Sequence, residues 1–580
     1  MFKKNISCLE KVNKLLAEKI KKRQLKETNK SISALKNEKG EYILVRNNKY
    51  IDDTPSPAEA AKEVYSQNIK NPVSRYDFIV VFGLGLGNLL DYTHNKSVSK
   101  IIVYEQDINI LRFTFEYVDL TKYFADGRLY ITDNIQDCVN YIGEKYLLED
   151  KIEFVYLKNY LMQHSSEFTV LTEKIYEVCQ AKIIDLNTTK VLSKSWVKNE
   201  LANVLPHKVF YPINILKNKF FGKSALVVGA GPSLKDNIEK IKENRDKFVI
   251  FAVHRTVDTL VNNGIIPDFC VVVDAKWLDY YLKPENTALK DITFIADIKA
   301  DKYLHNLPHK NFFLYCSKNN IISDKLKLKL SDDIELLETG GTSTICAYRC
   351  AAYLGFKNIV FAGIDLAFKD DTAYCDGKIV AANNAHSVKI QNLVCETTKI
   401  KSITGEYVQT RVDYANFVKQ FETIFAKDKV SNLYNLTTFG AFISGMIYKQ
   451  MDEIVSNLNN ETVKSDEIID VAISDNAEIP KKFEDVAIQI LEQEKTKIKP
   501  ITTLIEEWFE MYSEHPSFFE YATNIVTKIT STMILQDCIQ IELIKFSKLV
   551  TSKDNAQKKI FITELFNTIL DYYKYLDNLI

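Results

Sequence analysis

The chain is short of several things, and each shortage excludes a class. It has no charge excess of either sign: 75 Lys and Arg face 76 Asp and Glu over 580 residues, a formal net charge of −1. A dedicated nucleic-acid binder carries a strong basic surplus, so that class is excluded. No apolar run approaches the ~18 residues of a membrane-crossing helix. The longest are strand-sized, such as FVIFAV at 248–253. Cysteines number ten, without the spacing of a disulfide framework. Cys346 and Cys350 lie four apart in a helical pattern, but no second pair completes a zinc quartet. The N-terminus lacks the apolar stretch of a signal peptide. It reads instead as a basic amphipathic helix, with ten Lys or Arg and three Glu in residues 1–30. A soluble, cytoplasmic protein is the expectation.

What is present is ordinary folding material. Hydrophobic residues make up 46% and charged residues 26%, which excludes wholesale disorder. At about 150 residues per domain the length allows three or four units. The pattern divides into three: 1–205, 206–450 and 451–580. In the first, DFIVVFGLGLGNLL (77–90), KIIVYEQD (100–107), LYITD (129–133) and KIEFVYLK (151–158) read as strands alternating with helices. In the second, SALVVGAG (224–231), KFVIFAVH (247–254), FCVVVDA (269–275), ITFIADI (292–298), FFLYCS (312–317) and NIVFAGIDLA (358–367) repeat that plan. Alternation of this kind predicts parallel sheets with helical crossovers, that is, two doubly wound Rossmann-like α/β units. From 451 onward glycine disappears and apolar residues recur at helical spacing to Ile580, which predicts a separate α-helical domain.

Two glycine loops follow buried strands. In FGLGLGNLL (82–90) the loop opens a helix, and Glu105 closes the next strand 20 residues after Gly85. That spacing suits a nucleotide or S-adenosylmethionine pocket. A tight turn in a scaffold without a ligand explains it equally simply and is the reading preferred here. The second loop, VVGAGPSLKD, is more specific. Gly229 and Gly231 allow a sharp turn, and Pro232 suits a first helical turn. Ser233, Leu234 and the loop amides are expected to face an anion at a helix N-terminus. Lys235 adds charge there or faces solvent. Ligands of open α/β sheets bind beyond the carboxyl ends of the strands. Three further strand ends therefore converge on this loop, bringing His254 with Arg255, Asp274, and Asp365. The turn ETGGTSTICA adds Gly340, Gly341, Thr342 and Ser343.

The set GAGPSLKD, FAVHRT, PDFCVVVDA, TGGTSTICAYRCAAYLGFKNIVFAGIDLAF and NLYNLTTFGAFISG (432–445) resembles the motility associated factor (Maf) flagellin glycosyltransferases over about 222–450. Parts of it are also similar to bacterial sialyltransferases that use CMP-sialic acid. The resemblance implies transfer of a nonulosonic acid, pseudaminic or legionaminic, from its CMP form to flagellin Ser or Thr. It implies that loop 229–234 with Gly340, Gly341 and Thr342 binds the donor. His254 and Asp274 fall where the sialyltransferases have asparagines that contact nucleotide and sugar. Two departures stand out. The paired tyrosines that steady the leaving phosphate in those enzymes match Ala367 and Ala373 here, with Tyr374 one step on. Their catalytic histidine has no counterpart near VQTRVDYANF (408–417).

The chemistry needs stabilisation of the departing phosphate and a base for the acceptor hydroxyl. His386, in the polar loop 376–387, is the expected base, with Tyr374 and Asp365 as the other catalytic candidates. No DxD motif marks a divalent site; a metal is left open, with Asp274 and Asp365 as single carboxylates that could serve. The N-terminal unit and helical tail are expected to recognise flagellin, so deleting 451–580 should leave donor binding intact. Rival readings are a hydroxymethylpterin pyrophosphokinase-type enzyme, a non-catalytic flagellin-binding scaffold, and a methyltransferase at the first loop.

Overall fold

Apolar runs of four to six residues ending at glycine or a carboxylate form the strands of two parallel sheets. The computed structural model of the chain describes residues 1–53, 56–70, 73–75, 77–147, 150–205, 210–318, 320–338, 340–369, 372–375, 397–428, 432–458, 464–530, 532–550, 552 and 554–579. The chain divides into two compact units, 1–187 and 188–580, the division falling within the helix Ser165–Val204.

In the first unit, β1 (Ile32–Lys36), β2 (Tyr42–Arg46) and β3 (Lys49–Tyr50) form a small antiparallel sheet. Asn47 and Asn48 turn β2 into β3, with φ of 47° and 62°. Asn tolerates that left-handed region better than most residues, and the tight hairpin requires it. The main sheet is β4 (Phe78–Phe82), β5 (Lys100–Tyr104), β6 (Leu129–Thr132) and β7 (Ile152–Tyr156), in the order β6-β5-β4-β7, all parallel. Every side chain of FIVVF is buried, as a strand covered on both faces requires.

Among the described residues the main sheet of the second unit has ten strands. β8 (Tyr211–Pro212) pairs beside β13. The rest are β9 (Ser224–Val228), β10 (Val249–Val253), β11 (Phe269–Val272), β12 (Thr293–Asp297), β13 (Phe312–Ser317), β14 (Leu336–Leu337), β15 (Asn358–Ala362), β18 (Asn432–Asn435) and β19 (Ile447–Tyr448). They lie in the order β14-β13-β12-β11-β10-β9-β15-β18-β19. A separate hairpin, β16 (Thr397–Lys401) with β17 (Tyr407–Arg411), precedes the helix Val412–Lys427.

Helices cover both faces of this sheet. One face packs on Ser343–Leu354 and Val412–Lys427, through Ile345, Tyr348, Phe421 and Phe425. Gly355 ends the first of these helices at φ 96°, a left-handed cap that favours glycine. The other face shares one continuous core with the C-terminal helices, including Phe483, Trp508, Ile562 and Phe566. Three segments were read from the sequence, with the helices from 451 as a domain of their own. In the structure these helices supply the apolar cover that this face of the sheet needs, within the unit 188–580. Truncation at 450 would strip that cover, contrary to the expectation that donor binding survives it.

Candidate functional site

The strand order of the second sheet reverses at β9: successive strands run outward from it through β10 on one side and β15 on the other. The helix after β9, Leu234–Glu243, packs on one face of the sheet and Val412–Lys427 on the other, which leaves a crevice beyond the strands' carboxyl ends. A cavity of about 320 Å³ occupies it.

The loop after β9 is a strut rather than a cradle. Gly229 donates to Ala362 O (2.8 Å), Gly231 to Gly363 O (2.8 Å) and Leu234 to Gly231 O (3.1 Å). The Ser233 amide donates to Asp365 Oδ2 at 2.8 Å. These amides were expected to face an anion, but they are engaged within the protein. A Cβ on Gly231 would stand 2.5 Å from Asp365 Oδ2, and one on Gly229 would stand 2.7 Å from Gly363 O. The glycines are needed because one chain segment lies directly on another. Asp365, 1% exposed, also accepts from the Thr437 hydroxyl, and Ala441 N donates to its carbonyl at 2.8 Å. Its burial pushes the carboxyl above its ordinary value, against the pull of Ser233 and Thr437. Asp365 therefore ties together three loops. That position explains its residue type without the catalytic role expected of it.

Of the residues singled out by sequence, Gly231, His254, Asp274, Gly341, Thr342, Asp365 and Tyr374 line the cavity, with Arg255 and Ser343. Gly229, Pro232, Ser233, Leu234 and Gly340 are not part of its wall, and Lys235 is exposed away from it. His386 lies outside the described residues.

Two clusters define the cavity's chemistry. His254, 4% exposed, places Nε2 at 3.1 Å from Asp274 Oδ2, while half of the Asp274 side chain remains accessible. Enclosure in the cavity raises the Asp274 carboxyl, but His254 and then Arg255 outweigh it and hold it below the usual range. Beside this pair the Arg255 guanidinium lies 3.6 Å from the centroid of the Tyr374 ring and 5.1 Å from that of Tyr281. The Tyr281 ring also meets His254 edge-on at 5.1 Å. Trp277, at φ 67°, turns the chain into the short helix Leu278–Tyr281 that carries this tyrosine.

The remaining wall comes from two helices. Thr342 stands before Ser343–Leu354 with no side-chain cap, so that helix opens its first turn to the cavity where Thr342, Ser343 and Thr344 line it. Gly341 N is used by Gln420 Oε1 at 3.0 Å. The helix Val412–Lys427 contributes Tyr414, Phe417 and Phe421. The Tyr414 hydroxyl is hydrogen-bonded to Tyr374, and burial keeps it protonated far above its ordinary range. Tyr281, Tyr414, Phe417 and Phe421 were missed in the sequence. The last three recur at helical spacing, i, i+3 and i+7, which was the available signal. Among the described residues no group of three His, Cys, Asp or Glu side chains is placed to hold a metal ion.

The first glycine loop is already filled. Asp52 Oδ1 accepts from Leu86 N at 3.2 Å and Oδ2 from Leu44 N at 2.8 Å. A Cβ on Gly85 would fall 2.1 Å from Asp52 Oδ1, and one on Gly83 would fall 2.8 Å from the Tyr160 ring. Glu105, fully buried, accepts from Leu84 N (3.1 Å), Asp107 N (2.9 Å) and the Tyr160 hydroxyl (2.7 Å). It faces no ribose. Burial raises both carboxyls to about 7. The methyltransferase reading finds no open cradle there.

Sheet order and crevice place both units in the doubly wound, Rossmann-like class. Over its whole length the chain shares the fold of the solved MAf glycosyltransferase from Magnetospirillum magneticum AMB-1. That match covers 100% of this chain and 96% of that one, with a TM-score of 0.63 and 14% identity. The Maf resemblance read from the sequence thus extends to the complete fold. Residues 198–371 match the family model for 6-hydroxymethylpterin diphosphokinase MptE-like domains. An uncharacterized protein of Treponema pallidum (strain Nichols) is 32% identical over 126 residues, 21% of this chain. The chain spans 59% of that relative's length. Among the described residues no helix is long and apolar enough to cross a membrane.

Proposed function

We propose that the protein is a glycosyltransferase that moves a nonulosonic acid, pseudaminic or legionaminic, from its CMP form to Ser or Thr of flagellin. The observation that carries this reading is the open crevice at the switch point of a sheet whose whole-chain fold is that of a Maf glycosyltransferase. A volume of about 320 Å³ falls within the range of small-molecule sites. Its donor would carry two anionic groups, a phosphate and a carboxylate. The uncapped first turn of Ser343–Leu354 offers amides and a helix dipole to the phosphate. Arg255, stacked on Tyr374, supplies a rigid cation beside it, and guanidinium geometry suits an oxyanion. Tyr374 and Tyr414 present their hydroxyls at the same wall, in place of the tyrosines absent at Ala367 and Ala373. CMP departs with the bond electrons, and the amides, Arg255 and the tyrosines stabilise its charge. Phe417 and Phe421, on the same helix as Tyr414, add an apolar wall that excludes water.

Incubation with CMP-pseudaminic or CMP-legionaminic acid and flagellin, read by intact mass, tests the proposal. Addition of one sugar residue per modified site is expected. No mass shift with either donor, beside a working control enzyme, rejects it. The match over 198–371 favours one second reading, a pyrophosphokinase handling ATP with magnesium. Calorimetry separates the two: heat with CMP supports transfer, whereas heat with ATP and magnesium alone supports the kinase.

A further inference from the structure

Resting on the transferase reading, we infer that Asp274 is the general base that deprotonates the acceptor hydroxyl, and that His254 is its positioning residue. Among the described residues two aspartates line the cavity. Asp365 has both carboxylate oxygens engaged, by Ser233 N and the Thr437 hydroxyl, and is 1% exposed. Asp274 is half accessible, and among the described residues only its Oδ2 is held, by His254 Nε2 at 3.1 Å. Oδ1 is thus the carboxylate oxygen that a substrate in the cavity can reach. His254 itself cannot take that part as placed. Its Nε2 faces Asp274, and its Nδ1 is buried without a hydrogen-bond partner among the described residues. A histidine with one nitrogen on a carboxylate and the other shut away orients that carboxylate; it does not meet solvent or substrate.

Charge distribution agrees. A donor bearing a phosphate and a carboxylate is repelled by Asp274 and drawn to Arg255, which faces Tyr374. The side of the cavity at Asp274 is left for the neutral hydroxyl. Among the described residues Arg255, His254, Tyr281 and the buried Cys346 interact with this carboxylate, and His254 and Arg255 favour its charged form. A weak base suffices because the hydroxyl becomes acidic as it bonds to an oxocarbenium-like carbon. In the step, the acceptor oxygen forms a bond to the anomeric carbon, and the bond from that carbon to the phosphate oxygen breaks. Its electron pair leaves with CMP, and the hydroxyl proton passes to Asp274 Oδ1.

The test uses the full chain, flagellin and the active CMP-nonulosonate. Asp274→Asn, which preserves shape, is expected to lower kcat by about 10²–10⁴-fold, the usual worth of a general base. CMP affinity should stay within about threefold. Asp274→Ala should recover part of its loss when formate is supplied as a replacement base. His254→Ala should lower kcat by about 10-fold at unchanged donor KM, with partial recovery in His254→Gln, which can still offer an N–H to Oδ2. Transfer by Asp274→Asn within threefold of the unsubstituted protein overturns the inference alone. A rise in donor KM with kcat unchanged does so too, making Asp274 a donor contact. An unsubstituted protein inactive with both donors overturns the transferase reading and this inference with it.

Discussion

Replacing Asp365 by alanine should damage the second unit and leave the first untouched. The carboxylate accepts from the Ser233 amide and the Thr437 hydroxyl, and both donors are buried. Thr437 has a second acceptor, Phe439 O at 2.6 Å, so its hydroxyl stays satisfied. The Ser233 N–H does not, and a buried donor without a partner costs about 1–3 kcal/mol. Loss of the charge-assisted bonds and the small void bring the total to about 2–4 kcal/mol. Asp365→Asn retains shape and one acceptor, so about half that loss is expected. The assay is urea unfolding followed by tryptophan fluorescence. Trp196, Trp277 and Trp508 are the chain's three tryptophans, and all lie in 188–580, so the signal isolates that unit. With a slope of about 3 kcal/mol/M, the alanine variant should shift the midpoint by roughly 1 M. The sign with pH is also fixed. Burial raises the Asp365 carboxyl above its ordinary value, so between the two values the folded state holds the extra proton. Stability of the unsubstituted protein should therefore fall as pH rises through that window, and Asp365→Asn should lose that component. An alanine variant within about 1 kcal/mol of the unsubstituted protein, at equal slope, would refute the anchoring role.

Three other outcomes are expected. Gly231→Ala drives a Cβ to 2.5 Å from Asp365 Oδ2 and 2.7 Å from Gly363 O, whereas Gly341→Ala meets the flexible Gln420 end at 3.1 Å. The first should cost at least about 2 kcal/mol in the same urea assay and the second well under 1. Truncation after 450 exposes the face that Phe483, Trp508, Ile562 and Phe566 cover, so size-exclusion chromatography should find aggregate rather than a CMP-binding fragment. In the first unit, Asp52 and Glu105 titrate near 7 when folded and at 3.8 and 4.5 in their ordinary state. That unit's urea midpoint, read by circular dichroism outside the tryptophan-reported transition, should fall as pH rises from about 4 to 7 and then level.

The strands of both sheets were legible because two-sided burial demands continuous apolar runs, and SALVV, VIFAV and NIVFA have no other sensible use. Convergence of His254, Asp274 and Asp365 on one edge followed from parallel topology alone. The role of the glycines did not follow. GAGPSL and GLGLG look alike whether a ligand or another chain segment rests on them. The segments that do so, Gly363–Asp365 for one and Asp52 with Tyr160 for the other, lie far along the chain. The C-terminal helices read as a domain because periodicity reports an apolar face but not which surface receives it. The aromatic wall of Tyr414, Phe417 and Phe421 was visible as a helical stripe; nothing local says that such a stripe borders a cavity.

The Asp52 carboxylate in the first loop has a consequence for energetics. A fold whose anion position is filled by its own side chain has an effective ligand concentration fixed by covalent connection. What that loop contributes to stability is therefore independent of any ligand supply. The second unit, with an open crevice, gains RT ln(1 + [L]/Kd) from whatever occupies it. The two similar sheets of the chain thus differ in one respect: the first loop carries its own occupant, and the second unit strengthens with whatever fills its crevice.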